Sequence, residues 1–201
     1  MNLYEFLFAN KLQKPLLAIQ GNIFHTCADH VAFGVHWRNK KGYLNNSNGG
    51  FAGDVANYGW PELETYEFKK GRPVTKFIKG KYFHALPVHT NEDGGWDESP
   101  SLIEECLNLL PVPSTEVIAC VLIGGGHAGL KYNATVNNLE GLLKTHKTTV
   151  LYVYDQLLYD ALVGTGVIAQ VIPFNCMLSQ LPKVYKYRKL STAKVLELMS
   201  N

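Results

Sequence analysis

The chain has 201 residues, of which 46% are hydrophobic and 18% are charged, and its formal net charge is +2. This composition excludes a disordered chain and fits one folded domain with a large core and an appendage. The small net charge argues against an electrostatic nucleic-acid binder, and no apolar run approaches the length needed to cross a bilayer.

Targeting signals and cysteine spacing indicate the cellular setting. The N-terminus lacks the layout of a signal peptide, and the four cysteines show no paired spacing. Cys106 and Cys120 lie in apolar runs, where a buried thiol acts as a small hydrophobic group. We therefore expect a reducing, cytoplasmic setting.

Strands and helices are predicted to alternate along the chain. In order, the predictions are a helix over 2–12, a strand over 16–19, loops over 24–50, a helix beginning at 54–58, strands over 76–78 and 81–86, a helix over 102–110, a strand over 117–123, a helix over 133–144, a strand over 148–154, a helix over 155–163, a strand over 167–173 and a helix over 192–199. Ser99 and Pro100 supply a cap and a first-turn proline for the helix at 102–110. This alternation implies a largely parallel sheet with helices on both faces, which binds ligands at the carboxyl ends of its strands.

The most informative motif is VLIGGGHAGL at 121–130. A buried strand stops at three glycines, whose backbone N–H groups can line a phosphate because no side chain intervenes. Strand, glycine loop and helix is typical of phosphate-binding α/β proteins; the alternative is a tight turn without a ligand. The Walker pattern and the dinucleotide fingerprint are both incomplete, since the lysine of the first and the downstream acid of the second are missing.

Two earlier segments show the same arrangement of glycines after a strand. They are IQGNI at 19–23 and NGGFAGDVA at 48–56. With 121–130 they resemble, in order, the motifs of macro domains, over about residues 16–155. The branch that looks closest contains ADP-ribose 1″-phosphate phosphatases and small ADP-ribosyl hydrolases. The resemblance implies a three-layer α/β/α macro-type fold with a mixed, mostly parallel sheet in residues 1–155, and a C-terminal extension, 156–201, packed on it.

The resemblance also implies ADP-ribose or a derivative as the ligand. Adenine would lie near Asn22, where most relatives have Asp, and the Tyr154 ring would stack on the adenine. The alternative role of Asn22 is that of a turn residue, and the alternative role of Tyr154 is that of a core aromatic. The diphosphate would lie against the two later glycine segments. The implied ligand-binding residues are Gly21, Asn22, Ile23, Gly49, Gly50, Phe51, Ala52, Gly53, Gly124, Gly125, Gly126, His127, Ala128 and Tyr154.

Catalysis at the distal ribose would need a positioning group and a proton carrier. Asn48 can hold the ribose or orient a water, with an Asx turn as its alternative role. The candidate acids and bases are His36, His84, His89, His127 and Asp54. We favour His127 among them because its loop would touch the diphosphate.

Two residues depart from the family pattern. Ala128 stands where one hydrolase branch has an acid, so the mechanism of that branch is not expected. Asp54 stands where relatives have Gly, and its carboxylate would either turn away from the diphosphate or take part in catalysis.

Three classes of function stay open at this point. The first is an enzyme that removes phosphate or protein from ADP-ribose. The second is a non-catalytic ADP-ribose reader or sink, and the third is an unrelated α/β nucleotide binder. ADP-ribosylated protein is a further candidate partner, whereas membranes and nucleic acid are not expected; the basic, tyrosine-containing segment 182–189 fits a solvated edge better than an RNA site. His25, Cys27 and His30 have no fourth ligand at matching spacing, so neither a metal nor a cofactor is expected.

Overall fold

The computed structural model describes residues 16–26, 28–38, 50–90, 100–123, 140–153 and 168–172. Its strands are β1 (Leu16–Gln20), β2 (His30–Arg38), β3 (Val74–Ile78), β4 (Lys81–Thr90), β5 (Val117–Val121), β6 (Thr148–Val153) and β7 (Ile168–Ile172), and its longer helices are α1 (Gly50–Gly59) and α2 (Pro100–Asn108). The chain divides into two compact units, one with β1, β5, β6 and β7 and the other with β2, α1, β3, β4 and α2. No helix in these ranges is both long and apolar enough to cross a bilayer.

The first unit is built from parallel strands in the order β5-β6-β1-β7. Every residue of β6 is buried, as expected for a parallel strand covered on both faces. Leu17 of β1 is in register with Val150 of β6, and the Gly21 N–H donates to the Val153 carbonyl at 3.1 Å. This bond continues the pairing past the end of β1 and fixes the backbone that leads into Asn22.

The second unit holds the strands in the order β3-β4-β2, with β3 antiparallel to β4 and β2 parallel to it. A two-residue turn, Lys79-Gly80, joins β3 to β4, and its φ angles of 47° and 86° are both positive. Positive φ at both positions is typical of the type I′ turn that matches the twist of a hairpin. Of the described strand pairs, only β3–β4 is antiparallel, so the pairing is mixed and mostly parallel.

Helix α1 packs on β2 through aromatic contacts. The Phe33 side chain is fully buried. Its ring meets the Phe51 ring edge-on at 5.6 Å between centroids and the Trp60 ring at 6.3 Å. Ala52 and Gly53 are also buried, and such small side chains let the helix approach the strand closely. Phe33 therefore anchors the first turn and the end of α1.

Most of the predicted elements inside the described residues are confirmed. Strands form at 16–20, 74–78, 81–90, 117–121, 148–153 and 168–172, a helix forms at 100–108, and residues 140–144 are helical. The predicted helices at 2–12, 155–163 and 192–199, the rest of 133–144 and Ser99 lie outside the described residues. Strand β7, from the predicted extension, pairs with β1.

Two predictions were wrong. Loops were expected over 24–50, yet His30–Arg38 forms a nine-residue strand, because Val31, Ala32, Phe33 and Val35 are all buried. A strand buried on both faces shows no alternation, and Gly34 and the histidines interrupt its apolar run. The helix expected to begin near Asp54 begins at Gly50, so part of the predicted glycine loop is its first turn.

The two described cysteines are buried and free, as predicted. Burial, with a smaller contribution from Glu105, raises the pKa of the Cys106 thiol to about 12. Burial also raises the pKa of the Cys120 thiol. Both groups therefore stay protonated at neutral pH and act as small apolar side chains.

A row of hydrogen bonds joins three side chains of the second unit. The Nδ1 atom of His30 lies 2.9 Å from Nε2 of His84, and Nδ1 of His84 lies 2.7 Å from Oγ1 of Thr75. Burial lowers the pKa of His84 to about 3, and the nearby His30 acts in the same direction. His84 is therefore neutral at pH 7 and uses one ring nitrogen as a donor and the other as an acceptor.

We expect acid to destabilise the protein through His84. Its pKa is about 3 when folded and near 6.5 when unfolded, so the unfolded state takes up the proton first as the pH falls. The contribution of neutral His84 to the free energy of unfolding is complete above about pH 6.5 and is lost as the pH falls towards 3. About 2 kcal/mol of it is lost between pH 7 and pH 5. Urea unfolding at both pH values measures this loss. His84→Gln keeps a donor and an acceptor without titrating, so an equal loss in this variant would contradict the assignment.

Candidate functional site

Asn22 lies directly after β1 and forms the cap of a short 3-10 turn, Ile23–His25. Its side-chain Oδ1 accepts a hydrogen bond from the Phe24 N–H at 3.0 Å. Ile23 is buried, whereas Asn22 is only half-buried. An Asn carbonyl has two lone pairs and its amide has two N–H groups, so the cap leaves capacity for a ligand. The turn-forming role is thus observed, and it places the carboxamide at the carboxyl end of β1.

The second glycine segment forms the beginning of α1. Gly50 has a φ of 63°, a left-handed conformation that favours glycine. The first backbone N–H groups of a helix have no partner within it, and the helix dipole makes this end positive. Phe51 is half-buried against Phe33, and Ala52 and Gly53 are buried. A helix start is a kind of backbone arrangement that can bind an anion without a cationic side chain.

Asp54 lies in α1 but beyond its first turn, which carries no acidic residue. Its neighbours Gly53 and Val55 are buried, whereas Asp54 itself is exposed. The sequence placed this carboxylate at the helix start, and the structure places it one turn further along. Because its side chain is in water, its repulsion of an anion at the helix start is screened.

Two of the candidate histidines are brought together by the strand register. His36 of β2 is opposite His89 of β4, near the carboxyl ends of these parallel strands. The register shifts on both sides of His36, and such bulges re-aim side chains near active sites. His36 is half-buried. His84 is different, since it is buried against His30 and Thr75, away from this end of the strand.

Sequence reasoning missed the pairing of His36 with His89, because it did not predict β2. The apolar residues Val31, Ala32, Phe33 and Val35 precede His36 and are all buried, but Gly34 and the histidines interrupt their run, so the sequence carries no continuous strand signal. Without a strand there, the two histidines have no expected register.

The glycines of the third segment lie outside the described residues. Strand β5 ends at Val121, and Ile123 is buried just beyond it. The remaining predicted site residues also lie outside the described part of the chain. They are Asn48, Gly49, Gly124, Gly125, Gly126, His127, Ala128 and Tyr154.

The residues considered as zinc ligands do not form a described metal cluster. No group of three or more His, Cys, Asp or Glu side chains that could hold a metal occurs among the residues described. His30 instead has its Nδ1 against His84, His25 is exposed, and Cys27 is outside the described ranges.

Solved structures of known proteins resemble this chain. A macrodomain mutant from Oceanobacillus iheyensis is 14% identical, with a TM-score of 0.50 over 74% of this chain and 88% of that chain. An alphavirus P23pro-zbd chain is 13% identical, with a TM-score of 0.48 over 80% of this chain, and the IBV X-domain is 11% identical, with a TM-score of 0.44 over 76% of this chain and 99% of that one. This chain covers only 25% of the alphavirus chain.

The likeness to the Oceanobacillus macrodomain shows the fold. The chain has the macro-type α/β fold, with mixed and mostly parallel strand pairing and helices, as predicted. No protein-family model matches the sequence, and no curated protein matches it. Membership of the macro domains, and of one branch of them, therefore stays a prediction.

Proposed function

Because the chain has the macro-type fold, we propose that it binds ADP-ribose or an ADP-ribose derivative and hydrolyses a bond at the distal ribose. The observation that carries this proposal is the start of α1, where the glycine segment becomes a helix N-terminus with Gly50 at a φ of 63°. A diphosphate fits such a backbone because it needs donors and a positive dipole end rather than a paired cation.

Asn22 is the proposed adenine-binding residue. Its Oδ1 already accepts from the Phe24 N–H, and this bond holds the carboxamide in one orientation. The remaining donors and lone pair can meet the N6 amino group and a ring nitrogen of adenine. Gly21 supports this orientation through its bond to the Val153 carbonyl.

The proposed chemistry places Asn48 and a histidine at the distal ribose. Asn48 is two residues before the start of α1, so its amide can orient a water towards the bond that breaks. The water loses a proton to a histidine as it attacks, and the leaving phosphate or protein group accepts one. The register of His36 with His89 supplies two histidines at one strand end, and His127 stays a third candidate.

An Asn22 series tests the adenine assignment. Asn22→Ala should weaken ADP-ribose binding by about 1–3 kcal/mol, because the base then has unpaired polar groups. It should also cost about 1 kcal/mol of stability, because the cap to Phe24 is lost. Asn22→Asp keeps the cap acceptor, and we expect it to retain or improve affinity. Calorimetric titration and urea unfolding separate the two effects; unchanged affinity in Asn22→Ala would leave this residue as a turn former only.

A non-catalytic reader or sink of ADP-ribose is the second candidate function. Two features favour it: Ala128 in place of an acid, and the exposure of Asp54 beyond the first turn of α1. Binding of ADP-ribose without turnover of ADP-ribose 1″-phosphate or of ADP-ribosylated protein would establish the reader and exclude the hydrolase.

The domain boundary and the setting complete the proposal. We place the macro-like domain at 1–155 and treat 156–201 as an extension packed on it, in a cytoplasmic protein. A chain truncated after residue 155 tests the boundary. If the boundary is correct, this chain should fold although it lacks β7, which pairs with β1.

A further inference from the structure

One polar atom near the carboxyl end of β2 is buried without a hydrogen-bond partner. The indole Nε1 of Trp37 is enclosed by the protein, and no described residue accepts a hydrogen bond from it. The Trp37 side chain as a whole is half-buried. A buried donor without an acceptor has lost its bond to water and gained none in return, so native structures rarely keep one without a reason. This N–H is therefore suited to an acceptor that comes from outside the chain.

The backbone places Trp37 outside the regular pairing of β2 with β4. His36 is in register with His89, and Arg38 is in register with Thr90, so Trp37 is the extra residue of a bulge. Bulges are common next to active sites, where they re-aim a side chain. Trp37 is thus held directly beside His36, one of the candidate catalytic histidines.

A lysine lies over the same ring. The Nζ atom of Lys70 is 5.3 Å from the centroid of the Trp37 ring, and Lys70 is exposed. It forms no ion pair with a residue that the structure describes. An ammonium group and an indole N–H are both donors without acceptors, so neither can satisfy the other. Together they are complementary to an anionic oxygen.

A β-turn over 69–72 holds this lysine at the end of β4. A backbone hydrogen bond of 3.0 Å joins the first and last residues of the turn, and Gly71, its third residue, has a φ of 66°, as type II turns require. The Gly71 N–H donates to the Pro87 carbonyl at 3.2 Å, and Pro87 precedes His89 by two residues. The lysine is therefore tied to the same strand end as the proposed catalytic histidines.

We propose that Trp37 and Lys70 form a subsite for a phosphate on the distal ribose of the ligand. The indole N–H donates to one phosphate oxygen, and the ammonium group binds another. A rotation of the half-buried ring brings its N–H to the ligand. This subsite rests on the proposed function, and it names the substrate as ADP-ribose 1″-phosphate.

The charge of the ligand decides between the two candidate substrates. A phosphate monoester carries roughly −1.5 to −2 charges at pH 7, whereas a bond from the distal ribose to a protein side chain carries no negative charge of its own. Two groups that only donate, one of them a cation, therefore favour the phosphate. The diphosphate is the poorer occupant, because its proposed place is the start of α1, where backbone N–H groups supply the donors.

The indole N–H signals of the protein test the contact directly. The chain has three tryptophans, and Trp37→Phe identifies the Trp37 signal in a proton–nitrogen correlation spectrum by its loss. An analogue of ADP-ribose 1″-phosphate in which a methylene group replaces the bridging oxygen cannot be hydrolysed. We expect this analogue to shift the Trp37 signal downfield, because the N–H gains a charged acceptor, and ADP-ribose to leave it nearly unchanged. A Trp37 signal that stays in place while the analogue is bound would overturn the proposal.

Matched variants measure what each group contributes to the preference for the analogue over ADP-ribose. Trp37→Phe keeps a ring beneath the lysine and removes the donor, so calorimetric titration should show this preference reduced about tenfold. Lys70→Gln should reduce it about threefold at low salt. Lys69→Gln removes an exposed lysine of the same turn and should change nothing. An unchanged preference in Trp37→Phe, confirmed as folded by its melting curve, would rule out the role of the indole N–H.

Inorganic phosphate keeps the subsite distinguishable from the proposed function. If the wild-type protein binds neither ADP-ribose nor the analogue, the proposed function fails, and titration with inorganic phosphate then tests the subsite alone. A shift of the Trp37 signal with phosphate that is weaker in Lys70→Gln would support the subsite. The absence of any shift would overturn it.

Discussion

Replacing Asn48 by alanine should lower turnover by at least about a hundredfold while changing ADP-ribose affinity far less. A group that orients the attacking water acts mainly in the transition state, and loss of such positioning costs orders of magnitude in rate. Asn48 is two residues before α1, next to the helix start proposed for the diphosphate. Phosphate release from ADP-ribose 1″-phosphate and release of ADP-ribose from modified protein measure the loss.

Asn57→Ala provides the matched control for Asn48→Ala. Asn57 is exposed on α1, so its removal should affect neither turnover nor binding. Alanine at one of His36, His89 or His127 should reproduce the rate loss and remove one limb of the pH–rate profile. Undiminished turnover in Asn48→Ala would contradict the positioning role.

Phe33→Ala should destabilise the protein by about 3–5 kcal/mol, a large share of the roughly 5–15 kcal/mol that holds a domain folded. The Phe33 side chain is fully buried and meets both Phe51 and Trp60 edge-on, so its removal leaves a cavity under both ends of α1. Urea unfolding measures the change.

Phe77→Ala makes the same substitution at a ring that is 59% exposed. It should cost about 1 kcal/mol or less, chiefly through its contact with Tyr82. Equal losses in Phe33→Ala and Phe77→Ala would contradict the placement of Phe33 in the core.

Local sequence patterns predicted the elements whose pattern is simple. Strand β5 is a continuous apolar run, β6 consists of β-branched, aliphatic and aromatic residues, and α2 begins at Pro100 with the first-turn proline that the sequence indicated. Strand β2 could not be found in this way, because Gly34 and three polar or aromatic residues after Val35 break the run. Its Phe33 side chain packs against Phe51 and Trp60, and its parallel partner β4 lies more than forty residues later in the chain.

The candidate site was predictable in its glycine segments but not in its geometry. The role of Gly50 as the first residue of α1 depends on a backbone conformation, a φ of 63°, that glycine permits and does not require. The pairing of His36 with His89 depends on the register of two distant strands. Likewise, the exposed pair Phe77 and Tyr82 is brought together by a hairpin turn, which the net charge and composition of the whole chain do not show.

Calorimetric titration of the wild-type protein with ADP-ribose, ADP and ATP tests the central claim most directly. ADP lacks the distal ribose, and ATP carries a third phosphate in its place, so ADP-ribose should bind more tightly than both. Gly125→Glu places a charged side chain in the predicted phosphate path and should abolish this binding without unfolding the protein. Equal affinities for ADP-ribose and ADP, or full ADP-ribose binding by folded Gly125→Glu, would contradict an ADP-ribose site.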